Sequence, residues 1–501
     1  MAEQIIQALY KMQLKKNSNL SPIQEQVHKR LNQEAIDLTD LIENFLCFDT
    51  HPWHEKTCHK WKSLLTLNLL NFLSPTRDEK FSKIIRRYEL QPWNQSSQYF
   101  RLYVALNHFL AKMPIPEVGV HLLESGAALI DLKEYSPWLS MPYHPQHLEF
   151  GILLSLLGIF LKRPDIEENV LRLANWQVNT LDYQLEPFPG LYTRENENNH
   201  FEIILLHYLL FRGAASFTKK HQFIYLSHVL GTHLKEKFHQ SQPAIDPLWV
   251  IIEELFTLPA VEAAPVTLSH QIQDSSTSLI GYRSNRQTAI CTLHGCHTGI
   301  GYMREHDVEI MNYGPQYLPL DECKGFGIEG NHLSDHGIRR SFMQSDKTDF
   351  SLKGCVRLVD QPSNIDSGKE IFRGIWLEVL QEYKNHQLHV KSAFLGLDGW
   401  DSVAFSFFVK ARQCQVNQNF ILLPGKLERY EGDIVPIRFH GLQGALELRA
   451  LTHKGQMQVI PLGGGDNFWG SNFLVAYTLD PAHRDYHWSI EPLHKVSSSS
   501  E

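Results

Sequence analysis

The apolar residues of this 501-residue chain change their spacing once, and that change limits the available folds more than any motif does. Up to residue 258 they recur every three or four positions, as in Tyr103, Leu106, Leu110 and again in Leu153, Leu156, Leu157, Phe160. This is the period of a helix with a buried face. Ser21-Pro22-Ile23-Gln24 reads as an N-cap, a first-turn proline and a capping-box glutamine. Ser74-Pro75 and Arg163-Pro164-Asp165 give similar start signals. About ten or eleven helices of roughly 12 to 20 residues fit this stretch, which suits a ring of helical hairpins or a solenoid better than a four-helix bundle.

Pro259 to Ser278 carries the proline, alanine and serine bias of a linker. Beyond it the period is two. Ile375 to Leu380, Val403 to Val409, Ile434 to Phe439, Ala445 to Ala450, Gln456 to Ile460 and Phe473 to Leu479 are short, β-branched or aromatic, and separated by Gly, Asn and Asp. Many short strands at close spacing imply an antiparallel β-sandwich. The expected fold is therefore α+β and multidomain: an all-helical domain over 1–258, a linker over 259–278, a β-sandwich over 279–495 and a disordered serine tail over 496–501.

Composition narrows the function. With 47 basic and 55 acidic side chains the formal charge is -8, which argues against a nucleic-acid partner, because counterion release needs a basic footprint. Seven cysteines imply no disulfide framework and fit a reducing compartment. The longest apolar runs, Gly151 to Leu161 and Phe201 to Phe211, are each about 11 residues against the roughly 20 needed to span a bilayer. MAEQIIQALYKMQLKK reads as an amphipathic helix and not as a signal peptide, so a cytoplasmic location without a membrane partner is expected.

The segment EPFPGLYTRENENNHFEIILLH, from Glu186 to His207, carries the most chemistry. A Pro/Gly-rich loop passes through a polar cluster into an apolar helix, which puts Asn198, Asn199 and His200 near a helix N-terminus. Backbone N–H groups favour anions there. Two amides would bind a carboxylate and acidify its α-proton, and a neutral His200 would remove that proton. Helix capping by the asparagines is the structural alternative. Glu186, Glu195 and Glu197 suggest a different chemistry, since glycosidases use two carboxylates about 5 to 9.5 Å apart.

A helical domain, a linker, an all-β domain and Asn-Asn-His entering a helix together resemble the heparinase II/III and alginate lyase superfamily. Its members join an (α/α) toroid to an antiparallel β-sandwich and cleave uronic-acid polysaccharides by β-elimination. The resemblance implies that Asn199 neutralises the uronate carboxylate with Asn198 in support, and that His200 is the base. It also implies a tyrosine one helical hairpin beyond His200, but AIDPLWVIIEELFTLPA has none. Tyr192, with Tyr183, flanks the motif instead, and Arg194 or Arg212 would supply the cationic field such a tyrosine needs. Glu197 and Arg194 join the expected substrate-binding set. In the β-domain, Glu305-His306-Asp307 before Val308 and Ile310 is similar to the family's early strand, which makes His306 or His297 the histidine that reaches the substrate.

The expected partner is thus an acidic polysaccharide or oligosaccharide. A catalytically degenerate glycan-binding or assembly protein and a glycoside hydrolase are the alternatives. No cofactor is required. A structural zinc ion remains an option at Cys291, His294, Cys296, His297, His306, Asp307 and Cys323, a soft and borderline donor set without a paired spacing signature. There Asp307 would ligate the metal or orient a histidine.

Overall fold

The computed structural model describes residues 4–15, 20–41, 54–74, 81–89, 98–128, 145–188, 199–241, 243–260, 263–293, 299–317, 341–357, 376–396, 403–417, 420–452, 455–463, 470–480 and 482–493. They form a mixed helical and antiparallel-sheet protein, as the change of period implies. The chain divides into two compact units. One comprises Met1–Ser140, Pro145–Val178 and Phe201–Val266, the other Met141–His144, Asn179–His200 and Thr267–Glu501. Residues 179–200 therefore group with the strands, although composition reads 1–258 as one helical stretch. The expected tail, 496–501, lies outside the described residues.

Among the described residues there are ten α-helices: α1 (Ile5–Leu14), α2 (Pro22–Leu31), α3 (His54–Leu73), α4 (Phe81–Glu89), α5 (Gln98–Leu110), α6 (Pro145–Leu161), α7 (Pro164–Gln177), α8 (Asn199–Thr218), α9 (His221–Ser241) and α10 (Pro247–Leu255). Two of the three start signals act as read, and Pro75 of the third lies outside the described residues. Ser21 accepts from Gln24 N while the Gln24 side chain accepts from Ser21 N, and Pro164 opens α7. By length and composition, His200–Thr218 of α8 could cross a membrane, but 83% of that window is buried inside the protein, as in a core helix.

Two buried polar knots lock the helical unit. Glu253 on α10 accepts from the backbone N–H groups of Ile6 (3.0 Å) and Gln7 (2.9 Å) and from the Tyr208 hydroxyl (2.6 Å). Its carboxylate thus satisfies amides of the first turn of α1, which have no partner within their own helix. Glu149 on α6 accepts from Lys62 Nζ at 2.6 Å and from the Tyr99 hydroxyl.

The strands form two nine-stranded antiparallel sheets. The first contains β1 (Gln271–Asp274), β2 (Leu279–Arg283), β3 (Gln287–Cys291), β4 (Gly301–Glu305), β5 (Val308–Tyr317), β10 (Val403–Lys410), β17 (Phe473–Thr478), β16 (Gln456–Pro461) and β13 (Tyr430–Asp433), in that order. The second contains β12 (Phe420–Leu422), β11 (Gln413–Val416), β14 (Ile437–His440), β15 (Ala445–Ala450), β18 (Asp485–Pro492), β9 (Gln387–Leu395), β8 (Trp376–Lys384), β7 (Asp349–Arg357) and β6 (Ser341–Asp346). Alternate residues of both sheets enter one hydrophobic cluster, in which Phe405 stacks on Trp488 at 4.0 Å. One expectation changes: β1 lies inside the stretch read as a linker. Ser275, Ser276, Thr277 and Ser278 belong to a hairpin turn, in which Asp274 accepts from Ser276 N (2.9 Å) and from the Thr277 hydroxyl (2.7 Å). Such residues serve tight turns as readily as linkers.

Candidate functional site

Strand register assembles a row of polar residues across the outward face of the first sheet. Arg283 lies opposite Thr288, Thr288 opposite Arg304, Arg304 opposite Glu309, and Glu309 opposite Lys410. Directly paired residues share a face, so the row runs across β2, β3, β4, β5 and β10. Such a face is usually open to water. Here Arg283 and Thr288 are buried, and the side chains of Arg304 and Glu309 are only 12% and 13% exposed, while Lys410 reaches solvent.

The segment that docks on this row is 179–188. It turns back on itself through an isolated Leu181–Pro187 bridge and through Asp182 Oδ1, which accepts from Gln184 N (2.8 Å) and Glu186 N (2.9 Å). The other oxygen, Asp182 Oδ2, accepts from Arg304 Nη1 at 2.6 Å. Arg283 Nη1 donates to the Leu181 carbonyl. Phe188 packs on Tyr302 at 5.5 Å, and Tyr183 stacks on His270 at 5.2 Å. A short loop is thus held by a buried ion pair and two ring contacts.

The charges along the row set each other's protonation. Burial raises the Asp182 carboxyl above its ordinary value, against the pull of Arg304. Burial also opposes ionisation of Glu309, but Lys410 (3.3 Å), Arg304 and the Tyr302 hydroxyl (2.9 Å) outweigh it and keep Glu309 charged. Glu309 in turn raises Lys410. Burial, and then Glu309, push the Tyr302 phenol far above its ordinary value, so Tyr302 is a hydrogen-bond donor and not a base. The Arg283 guanidinium is lowered by burial to about 10 and stays charged at neutral pH.

Asn199 and His200 are the first two residues of α8, at the helix N-terminus that the motif implies. His200 is half-buried, with Nε2 at 3.8 Å from Glu186 Oε1. The structure therefore brings one of the three loop glutamates to the histidine. Tyr192, Arg194, Glu195, Glu197, Asn198 and His297 lie outside the described residues.

His306 occupies the tight turn between β4 and β5 in the left-handed region (φ 53°), with its backbone N–H on the Arg286 carbonyl at 2.8 Å. Asp307 beside it accepts from the backbone N–H groups of Leu442, Gln443 (3.0 Å) and Gly444 (2.9 Å). These bonds outweigh burial and lower its carboxyl below the ordinary value. Asp307 thus anchors the 442–444 loop. Of the zinc set, Cys291 is fully buried against the Tyr313 hydroxyl, and burial pushes its thiol up to about 12. His294, Cys296, His297 and Cys323 are outside the described residues, among which no three metal-ligating side chains converge.

Asp182, Arg283, Tyr302, Arg304, Glu309 and Lys410 were not singled out in the sequence. A signal exists for the strand members. Tyr302, Arg304 and Glu309 are the polar half of an alternating strand pair in GYMREHDVEI, and only their pairing order shows that they meet. Comparison with protein-family models and with curated proteins gave no match.

Proposed function

We propose that the protein is a polysaccharide lyase-like enzyme with an (α/α) toroid and a β-sandwich, and that it cleaves a uronate-containing oligosaccharide or polysaccharide by β-elimination at His200. The observation that carries this reading is the half-buried His200–Glu186 pair at the start of α8, with Nε2 and Oε1 3.8 Å apart. The imidazole removes the proton α to the uronate carboxylate, the C4–O bond breaks as the C4=C5 bond forms, and the departing oxygen takes the proton back from the imidazolium. Glu186 faces the positive charge that His200 holds between these steps. Asn199 is assigned to the uronate carboxylate by the resemblance. Using one residue as base and then acid removes the need for the later-helix tyrosine that AIDPLWVIIEELFTLPA lacks.

The test is ultraviolet absorbance during incubation with heparan-type, chondroitin-type and alginate-type chains, with His200→Ala protein alongside. A rise with wild type but not with the variant supports the reading, since the unsaturated uronate absorbs. New reducing ends without absorbance would assign hydrolysis, with Glu186 as the lead residue. Binding without turnover would assign a glycan-binding role.

A further inference from the structure

We propose that His389 on β9 and His487 on β18 form a binding site for a divalent transition-metal ion of the copper, nickel or zinc class, on the outward face of the second sheet. His389 Nδ1 and His487 Nε2 lie 3.2 Å apart, with ring centroids 5.4 Å apart. Their strand neighbours Leu388, Val390, Tyr486 and Trp488 enter the core, so period two turns both histidines outward, and both are half-buried and accessible. Two imidazole nitrogens at metal distances of about 2.0–2.1 Å and 3.2 Å from each other subtend roughly 100° at the ion, between tetrahedral and square geometry. Neither strand needs to move. The β9–β18 register pairs His389 with Ser489 and Lys391 with His487, which makes the histidines diagonal neighbours on adjacent strands.

The charged neighbours on the adjoining strands are paired with one another. Glu382, opposite His389 on β8, holds Lys391 (2.8 Å) and Lys384 (3.0 Å). Arg449, opposite Ser489 on β15, is paired with Glu447. In the metal-free pair one ring donates its N–H to the other. The ion replaces that hydrogen bond once the donor ring carries its proton on its other nitrogen, with no net proton released. Since no three-ligand group is present among the described residues, water completes the coordination. Copper then binds more tightly than nickel or zinc. The bound ion ties β9 to β18.

The experiment titrates the full chain with CuSO4 at neutral pH, read by calorimetry and by electron paramagnetic resonance. Because the chain has 27 histidines, the quantity of interest is the difference between proteins. Wild type should show a site of about one equivalent with two-nitrogen coordination, and His389→Gln and His487→Gln should each weaken it by about tenfold or more. His28→Gln, on α2 of the helical unit, should leave it intact. Equal stoichiometry and affinity in wild type and both histidine variants would overturn the proposal. If one variant fails to fold, the other reads the same pair from the opposite strand. Zinc should also raise the melting midpoint of wild type by a few degrees, and of neither variant.

Discussion

Arg304 and Asp182 are 122 residues apart in the chain and 2.6 Å apart in the structure, and their ion pair fastens the 179–188 segment to the first sheet. Both side chains are largely buried, 12% and 3% exposed. Asp182→Ala would remove the anion hydrogen-bonded to Arg304, leaving Glu309 as its remaining anionic neighbour, and would leave two turn amides without that acceptor. The expected loss of stability is about 3–5 kcal/mol, measured by urea unfolding. A loss below about 1 kcal/mol, typical of surface pairs, would mean that the ring contacts of Tyr183 and Phe188 hold the segment unaided.

Glu186 faces His200 without itself being assigned to the reacting atoms. On the proposed mechanism, Glu186→Gln should lower the elimination rate by about 10- to 100-fold, while His200→Ala removes it, as expected when the general base is lost. The readout is the initial rate of absorbance change at saturating substrate. Equal rates in Glu186→Gln and wild type would remove Glu186 from the mechanism and leave His200 in place.

Asp307 provides a pH test of the β-unit. Its folded carboxyl lies below the ordinary value of 3.8 because three backbone N–H groups bind the ionised form. A carboxyl lowered on folding stabilises the protein above its unfolded pKa, and that contribution is lost as pH falls through the lowered folded value. Asp307→Asn should therefore cost about 1–3 kcal/mol at pH 7. The gap from wild type should close in denaturant titrations below pH 3.8. A gap that stays constant down to pH 2 would show that shape, not charge, anchors the loop.

Ser21 and Gln24 form a reciprocal capping box on α2, and Ser21 is exposed, so changing it disturbs no core. Ser21→Ala should cost about 1 kcal/mol by thermal unfolding. No change in the melting midpoint would mean that tertiary contacts such as Arg30–Glu254 (2.6 Å) hold the helix without its cap.

Local physics explains what could be read in advance. The capping box, the proline that opens α7, the apolar core helices and most period-two strands are properties of a few consecutive residues, and they stand where the pattern implies. Asn199-His200 at a helix start belongs to the same class, because a polar cluster before an apolar run is a local boundary signal. β1 escaped because turn-forming serines and threonines look alike in a hairpin and in a linker.

What remained was decided by pairing. Sequence alone determined a helical stretch followed by antiparallel strands, and nominated His200 on a helix end. Only the tertiary structure decided that Asp182 meets Arg304, that Glu309 lies between Arg304 and Lys410, that Glu186 is the glutamate beside His200, and that His389 lies against His487. Period and capping are set by neighbours within a few residues. Which strand lies beside which depends on burying both sheets in one core, a condition that no single segment carries.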